Sequence, residues 1–372
     1  MKEHSYGDLS IIGMRGCEDF VAQVDAFLQE WRRHDGEGTF IAEASCPRFG
    51  SGEGKGMIRD SMRSRDVYII SDVFNHGVTY QMYGQTVPMS PDDHFQDVKR
   101  IIGAIGGKAK RITVVMPMLY EGRQHKRSSR ESLDCALALQ ELQNMGVTSF
   151  ITFDVHDPRV QNAIPLCSFD NFRSTYQMIK ALVHEYPDIE FDKEKIMIVS
   201  PDEGAMSRCM YYSSMLSLEL GMFYKRRNYS VIVNGKNPIE AHEYLGRDPK
   251  GMDVIVVDDM ISSGESMIDV AKQLKARGAN RIFIFTAFGL FCNGLDMIDE
   301  AYADGLFTRI MTTNLVYRTP ELLSRAWYSE VNMCKYVAYI IDTLNHEQSV
   351  AGLLDQSKRI RKLITDHKEG KL

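Results

Sequence analysis

Eight short apolar runs recur along the chain, at residues 9–14, 67–71, 112–116, 150–153, 196–199, 254–257, 282–285 and 309–312. They are rich in Val, Ile and Phe and have the length of buried strands. Between them, stretches such as 132–144, 171–184, 206–220 and 266–277 repeat apolar positions at helical spacing, and most end at Gly or a charged turn. Strand alternating with helix predicts parallel βαβ units, since parallel strands need a crossover connection. Two patterns occur twice. A basic turn leads into an apolar strand at 108–118 and again at 277–289, and the strands within 194–204 and 251–260 each end in acidic residues. This duplication predicts two tandem α/β domains. The stretch 78–93, with Gly84, Pro88 and Pro91, reads as a loop before a helix at 94–105, and 226–240 as a second long loop. The polar residues after 355 read as a fraying tail.

Composition narrows the classes. The 372 residues are 44% hydrophobic and 25% charged, ordinary for a folded protein of about two domains. No apolar run reaches the roughly 18 residues that span a bilayer, and the start MKEHSYGDLSIIGM lacks the features of a secretory signal. A cytoplasmic protein without a membrane partner is therefore expected. The net charge of −6 argues against nucleic acid as a partner, because phosphate backbones select clustered positive charge. The seven cysteines are scattered, odd in number and never spaced C-x-x-C, so they read as reduced thiols, mostly core filler.

The segment VIVVDDMISSGESMI, residues 254–268, carries the sharpest chemistry. An apolar strand ends in Asp258 and Asp259, then runs through Ser262, Ser263, Gly264, Glu265 and Ser266 into a helix. At the carboxyl end of a parallel strand this sets two carboxylates beside a helix N-terminus, where N–H groups and serine hydroxyls hold phosphate. The acids suit ribose hydroxyls or a cation, so a sugar phosphate fits the whole. The plain alternative is a strand end with an acidic turn and a capping serine. VVDDMISSGES resembles the phosphoribosyl-diphosphate (PRPP) binding motif shared by type I phosphoribosyltransferases and PRPP synthetases, and by itself does not choose between them.

Four further segments, in order, resemble the PRPP synthetase family. MPMLYEGRQHKRSSRES, from Met116, is similar to its proline–aromatic–ARQD run. Chemically, Arg123, Lys126, Arg127 and Arg130 concentrate positive charge suited to a polyphosphate. The resemblance assigns this segment, with Arg123, Gln124, His125 and Lys126, to ATP. His125 stands where the family usually has Asp, and no Pro precedes Ser132. RFGSGE, from Arg48, is similar to the adenine-binding element: Phe49 would stack on the base, while Ser51, Gly52 and Glu53 lie along the purine edge. FDVHD, from Phe153, resembles the D-L-H motif, which implies metal binding by His156 and by Asp202 of Ser200-Pro-Asp202, with Asp154 and Asp170 as secondary candidates. FYKRR, from Phe223, is similar to the root of the catalytic loop and makes Lys225 and Arg227 the catalytic cations, with 228–240 as a closing lid.

The resemblance implies two tandem phosphoribosyltransferase type I-like domains. These are 1–172, completed by a helix at 332–354, and 173–331, with 355–372 as the tail. It implies Mg²⁺-dependent transfer of the diphosphoryl group of ATP to the C1 hydroxyl of ribose 5-phosphate, giving PRPP and AMP for nucleotide, histidine and NAD synthesis. A homo-oligomer, hexamer or dimer, is implied as well. Ser262 replaces a family Asp, and Glu265-Ser266 replaces Gly-Thr. These departures keep two alternatives in view: a weakly active regulatory paralogue, and a phosphoribosyltransferase that consumes PRPP.

Overall fold

The structure is a computed structural model that describes residues 5–32, 38–227 and 239–371, without the side chains of 225–227 and 239–242. The chain divides into two compact units. Unit 1 comprises Met1–Ser174, Asn314–Thr319 and Asn332–Asp355; unit 2 comprises Thr175–Thr313, Pro320–Val331 and Gln356–Leu372.

Unit 1 is built on five parallel strands in the order of the chain: β1 (Asp8–Gly13), β2 (Arg65–Ile70), β3 (Arg111–Val115), β4 (Ser149–Phe153) and β5 (Ser168–Phe172). Their near-continuous apolar runs follow from burial on both faces. Helices α1 (Glu18–Trp31), α2 (Pro91–Ile105) and α3 (Asp134–Asn144) lie between them in sequence. α2 starts at Pro91 because Ser90 and Asp93 cap it reciprocally: Asp93 N–H donates to Ser90 Oγ at 3.2 Å, and Ser90 N–H donates to Asp93 Oδ2 at 2.9 Å. Gly106, left-handed at φ 60°, ends it. Its inner face buries Phe95, Val98, Ile101, Ile102 and Ile105.

The helix Cys334–Asn345, remote in sequence, completes unit 1 against α1. Trp31 and Tyr339 pack with ring centroids 4.4 Å apart, and Arg32 Nε donates to Asp342 Oδ1 at 2.8 Å. The fully buried Asn345 donates to Gly7 O at 3.0 Å and to Asp66 Oδ2 at 2.9 Å.

Among the described residues, unit 2 holds seven strands: β6 (Ile196–Ser200), β7 (Leu220–Arg227), β8 (Ile239–Leu245), β9 (Asp253–Ile261), β10 (Ile282–Gly289), β11 (Arg309–Thr313) and β12 (Tyr328–Val331). Their order is β8-β7-β6-β9-β10-β11-β12, parallel except for the β7–β8 pair. Helices α4 (Thr175–Glu185), α5 (Met206–Leu216) and α6 (Glu265–Ala276) belong to this unit.

Several expectations need correction. The stretch 78–93 is not a loop. It forms a β-hairpin, Thr79–Met82 with Gln85–Pro88, turning at Tyr83 and Gly84, both at positive φ (50° and 76°). Its Gly and Pro punctuate a tight turn and a strand end. The helical pattern at 171–184 begins inside β5, and α4 starts only at Thr175. α5 stops at Leu216, where Ser217 turns left-handed at φ 56°. The ends of the expected loop at 226–240 are strand, while 228–238 fall outside the described residues. The expected tail contains a helix, Ser357–Lys368, which belongs to unit 2 and buries Ile360 and Leu363. Ile360 and Leu363, with the half-buried Ile364, give this otherwise charged helix an apolar face, so its mean polarity misleads.

Candidate active site

In unit 2, β9 carries both Asp258 and Asp259 and runs on to Ile261. Ser262, Ser263 and Gly264 then turn the chain into α6. Gly264 is required: φ is 92°, and a Cβ there would lie 3.1 Å from Ile298 Cδ1. Glu265 is the first helical residue and its side chain is exposed, so its carboxylate is directed at solvent rather than buried in the turn. Ser262 Oγ lies 3.7 Å from Cys292 Sγ, and Ser263 Oγ accepts from Glu265 N–H at 3.4 Å.

Burial drives the Asp258 carboxyl well above its ordinary range, and the adjacent Asp259 adds to the effect. Asp258 Oδ1 also accepts the Asp259 N–H at 2.8 Å. The counter-charge is Arg208 of α5, whose Nη1 lies 3.6 Å from Asp258 Oδ1 and 3.9 Å from Asp259 Oδ1. Sequence reading missed Arg208; its position shortly after the Ser200-Pro-Asp202 turn was the available signal. Asp202 itself shapes that turn: Oδ1 accepts from Ala205 N–H at 3.1 Å, and its carbonyl accepts from Ser200 Oγ at 2.7 Å.

Lys225 and Arg227 lie on β7, paired in register with His242 and Ile239 of β8. Their side chains lie outside the described ones, as does most of the expected lid.

In unit 1 the 48–54 loop is held from behind. The buried Arg48 grips the buried Asp97 of α2 with two bonds, Nη1 to Oδ1 at 2.6 Å and Nη2 to Oδ2 at 2.9 Å. Phe49 N–H donates to Glu53 O at 2.7 Å, Gly52 is left-handed at φ 94°, and Ser51 Oγ donates to Glu53 Oε2 at 2.8 Å. The hairpin tip braces the loop through Tyr83 N–H to Gly50 O at 2.8 Å. On this frame Phe49 is 55% exposed, available to stack on a base.

The basic segment after β3 is an irregular turn in which Arg123, Lys126, Arg127 and Arg130 are all exposed. Gln124 Nε2 donates to Ser132 O at 3.1 Å, closing that turn. His125 faces inward. Its ring lies 5.3 Å from that of His156, and its Nε2 lies 3.3 Å from Asp157 Oδ2. Arg159 bonds hold the Asp157 carboxyl well below the usual carboxylate range. The secondary metal candidates are otherwise engaged. Asp154, buried at φ 37°, accepts from Ser174 N–H at 2.9 Å and Ser174 Oγ at 2.6 Å, and Asp170 accepts from Ser168 Oγ at 3.1 Å while burial pushes its carboxyl up. A cavity of about 450 Å³ in unit 1, lined by Met14, Arg15, Glu18 and Cys46 among others, contains none of the predicted nucleotide residues.

Among the described residues no three His, Cys, Asp or Glu side chains gather as a metal cluster. A unit that offers one or two ligands fits a cation that arrives with phosphate oxygens and water as its remaining ligands, as Mg²⁺ does with nucleotides. No described helix is long and apolar enough to cross a membrane, and all seven cysteines are free thiols.

Residues 9–146 match the family model for the N-terminal domain of ribose phosphate pyrophosphokinase, and residues 171–314 that for the phosphoribosyl transferase domain. A ribose-phosphate pyrophosphokinase of Ureaplasma parvum is 30% identical over 214 residues, 57% of this chain and 61% of that one. That of Vibrio parahaemolyticus is 25% identical over 320 residues, 85% of this chain and 92% of the relative. Ribose-phosphate pyrophosphokinase A of Dictyostelium discoideum is also 25% identical, over 86% of this chain and 92% of the relative. In fold, the chain is similar to the crystal structure of phosphoribosylpyrophosphate synthetase from Mycobacterium smegmatis, with a TM-score of 0.74, 19% identity and coverage of 91% of this chain and 98% of that one. With both of its halves matched in order by these domains and its relatives aligned across most of its length, the chain belongs to the ribose-phosphate pyrophosphokinase (PRPP synthetase) family.

Proposed function

We propose that the protein makes PRPP, transferring the diphosphoryl group of ATP to ribose 5-phosphate, with the nucleotide held by unit 1 and the sugar phosphate by unit 2. The observation that carries the reading is the Asp258–Asp259 pair on a parallel strand that runs through left-handed Gly264 into α6. The sugar C1 hydroxyl oxygen bonds to the β-phosphorus, the bond from that phosphorus to the α,β-bridging oxygen breaks, AMP departs and the hydroxyl proton is released. Asp258 and Asp259 accept from ribose hydroxyls, Ser263 and Ser266 donate to the 5-phosphate, and Arg208 keeps the acid pair in place. Phe49 stacks on the base, Ser51, Gly52 and Glu53 border it, and Arg123, Gln124 and Lys126 take the phosphates. Lys225 and Arg227 counter the charge that develops on transfer. Mg²⁺, when bound, would neutralise phosphate charge; we assign Mg²⁺ binding to His156 in unit 1 and, separately, to Asp202 in unit 2. A cytoplasmic setting and homo-oligomeric assembly belong to the same proposal.

The test is direct. Incubated with ATP, Mg²⁺ and ribose 5-phosphate, the full chain yields AMP and PRPP in equal amounts. No AMP under any Mg²⁺ or phosphate condition overturns the reading, and AMP formed only with a different sugar phosphate keeps the chemistry while replacing the acceptor.

A further inference from the structure

His125 is left unexplained by the reading above. Its Nδ1 is buried and has no hydrogen-bond partner among the described residues, although the side chain is only 12% exposed. A buried ring nitrogen left unsatisfied is unfavourable unless something meets it. On the other side of the ring, Nε2 faces Asp157 Oδ2 at 3.3 Å. A carboxylate there favours the tautomer with its proton on Nε2, which leaves a bare lone pair on Nδ1. Arg159 fixes the carboxylate in turn, with Nε 2.9 Å from Asp157 Oδ1. A carboxylate behind an imidazole is the outer half of a carboxylate–histidine–metal relay, in which the acid orients the ring.

The second imidazole is already near. His125 and His156 have centroids 5.3 Å apart and planes inclined by 55°. Two imidazoles sharing one cation at about 2.1 Å, with an angle of about 90–110° between them, have centroids about 5 Å apart. The observed spacing suits one shared ion.

We propose that His125 and His156 together ligate the divalent cation that accompanies the nucleotide, and that this imidazole pair moves the chain's preference from Mg²⁺ toward nitrogen-accepting ions such as Co²⁺ or Zn²⁺. The proposal rests on the reading that nucleotide phosphates and their cation bind in unit 1. Mg²⁺ favours oxygen, whereas imidazole suits the later first-row ions. A family member with Asp in place of His125 offers one imidazole and one carboxylate instead.

The experiment counts nitrogens. Pulsed EPR is recorded on Mn²⁺ bound to the full chain with α,β-methylene ATP, for the native protein, His125→Asp and His125→Gln, each first checked by thermal melting. Two directly bound imidazole nitrogens are expected in the native chain and one in either variant. In parallel calorimetric titrations, the ratio of Co²⁺ to Mg²⁺ affinity should fall at least tenfold in His125→Asp. A single nitrogen in the native chain, unchanged in the variants, overturns the shared site and leaves His156 in its role. No nitrogen coupling at all overturns both the shared site and the metal role assigned to His156. If both variants fail to fold, the native count alone decides: fewer than two nitrogens refutes the pair.

Discussion

Each unit places a buried aspartate at or just beyond the end of a parallel strand, and the two have different partners. In unit 1, Asp72 follows β2, and the backbone claims both of its oxygens: Oδ1 accepts from Phe74 N–H at 3.0 Å and Oδ2 from Tyr317 N–H at 2.6 Å. Asp154, after β4, accepts at Oδ2 from both the N–H and the hydroxyl of Ser174. In unit 2, Asp258 and Asp259 lie side by side with Arg208, burial raises Asp258, and among the described residues its backbone donor is the N–H of Asp259. The residue type and its place in the fold are alike. What separates the two settings is the identity of the donors: backbone N–H groups at Asp72, a guanidinium beside the acid pair.

That contrast can be broken or sharpened by mutation. The largest effect belongs to the frame of the 48–54 loop: Arg48→Ala strands Asp97 in the interior and should cost about 3–5 kcal/mol, read from urea denaturation. A loss below about 1 kcal/mol would mean that Arg100, 2.7 Å from the same carboxylate oxygen, carries the load alone. Next, Lys225→Ala in unit 2 should lower kcat on the order of 10²–10³ while nucleotide binding, measured by calorimetry, stays within about twofold. Equal losses in both would show that the residue serves binding.

The acids themselves give the third test. Burial raises the Asp72 carboxyl from 3.8 to about 6. Between those values the folded protein holds a proton that the unfolded chain has released, so the stabilising contribution is complete below about pH 4 and is lost as pH rises to about 6. The loss amounts to about 3 kcal/mol. Asp72→Asn should flatten that slope and leave kinetics alone, whereas Asp258→Asn should impair use of ribose 5-phosphate. The reverse pattern would reverse the assignment. Smallest is the restoration of the family loop: Ser262→Asp with Glu265→Gly should lower the KM for ribose 5-phosphate about tenfold, the value of one added charge-assisted hydrogen bond of roughly 1.5 kcal/mol. An unchanged KM would show that Ser262 is well suited to the acceptor this chain uses.

Legibility followed locality. The unit 2 motif lies within fifteen consecutive residues, 254–268, and every part of it could be read in order, Gly264 included, because strand, turn and helix start are set by near neighbours. The parallel sheets were equally visible in the apolar runs. What escaped depends on distant partners. Arg48 reads as part of a base-binding loop, yet its guanidinium is buried on Asp97, 49 positions away. Arg208 carries no mark of facing Asp258 until the fold brings α5 to β9. His125 reads as a departure from a family Asp, and only the structure sets it between His156 and Asp157. The hairpin at 79–88 was hidden because Gly and Pro signal turns without saying whether strands flank them.

The helix Cys334–Asn345 has a consequence for how the protein comes into being. Unit 1 begins at the first residues and is finished only by this late segment, which supplies the Asn345 bonds to Gly7 and Asp66 and the Tyr339 contact with Trp31. During translation, the amino-terminal half therefore leaves the ribosome with one flank of its core uncovered. It must wait through the synthesis of about 160 residues, roughly 8–32 s at ordinary elongation rates, before this helix begins to be made.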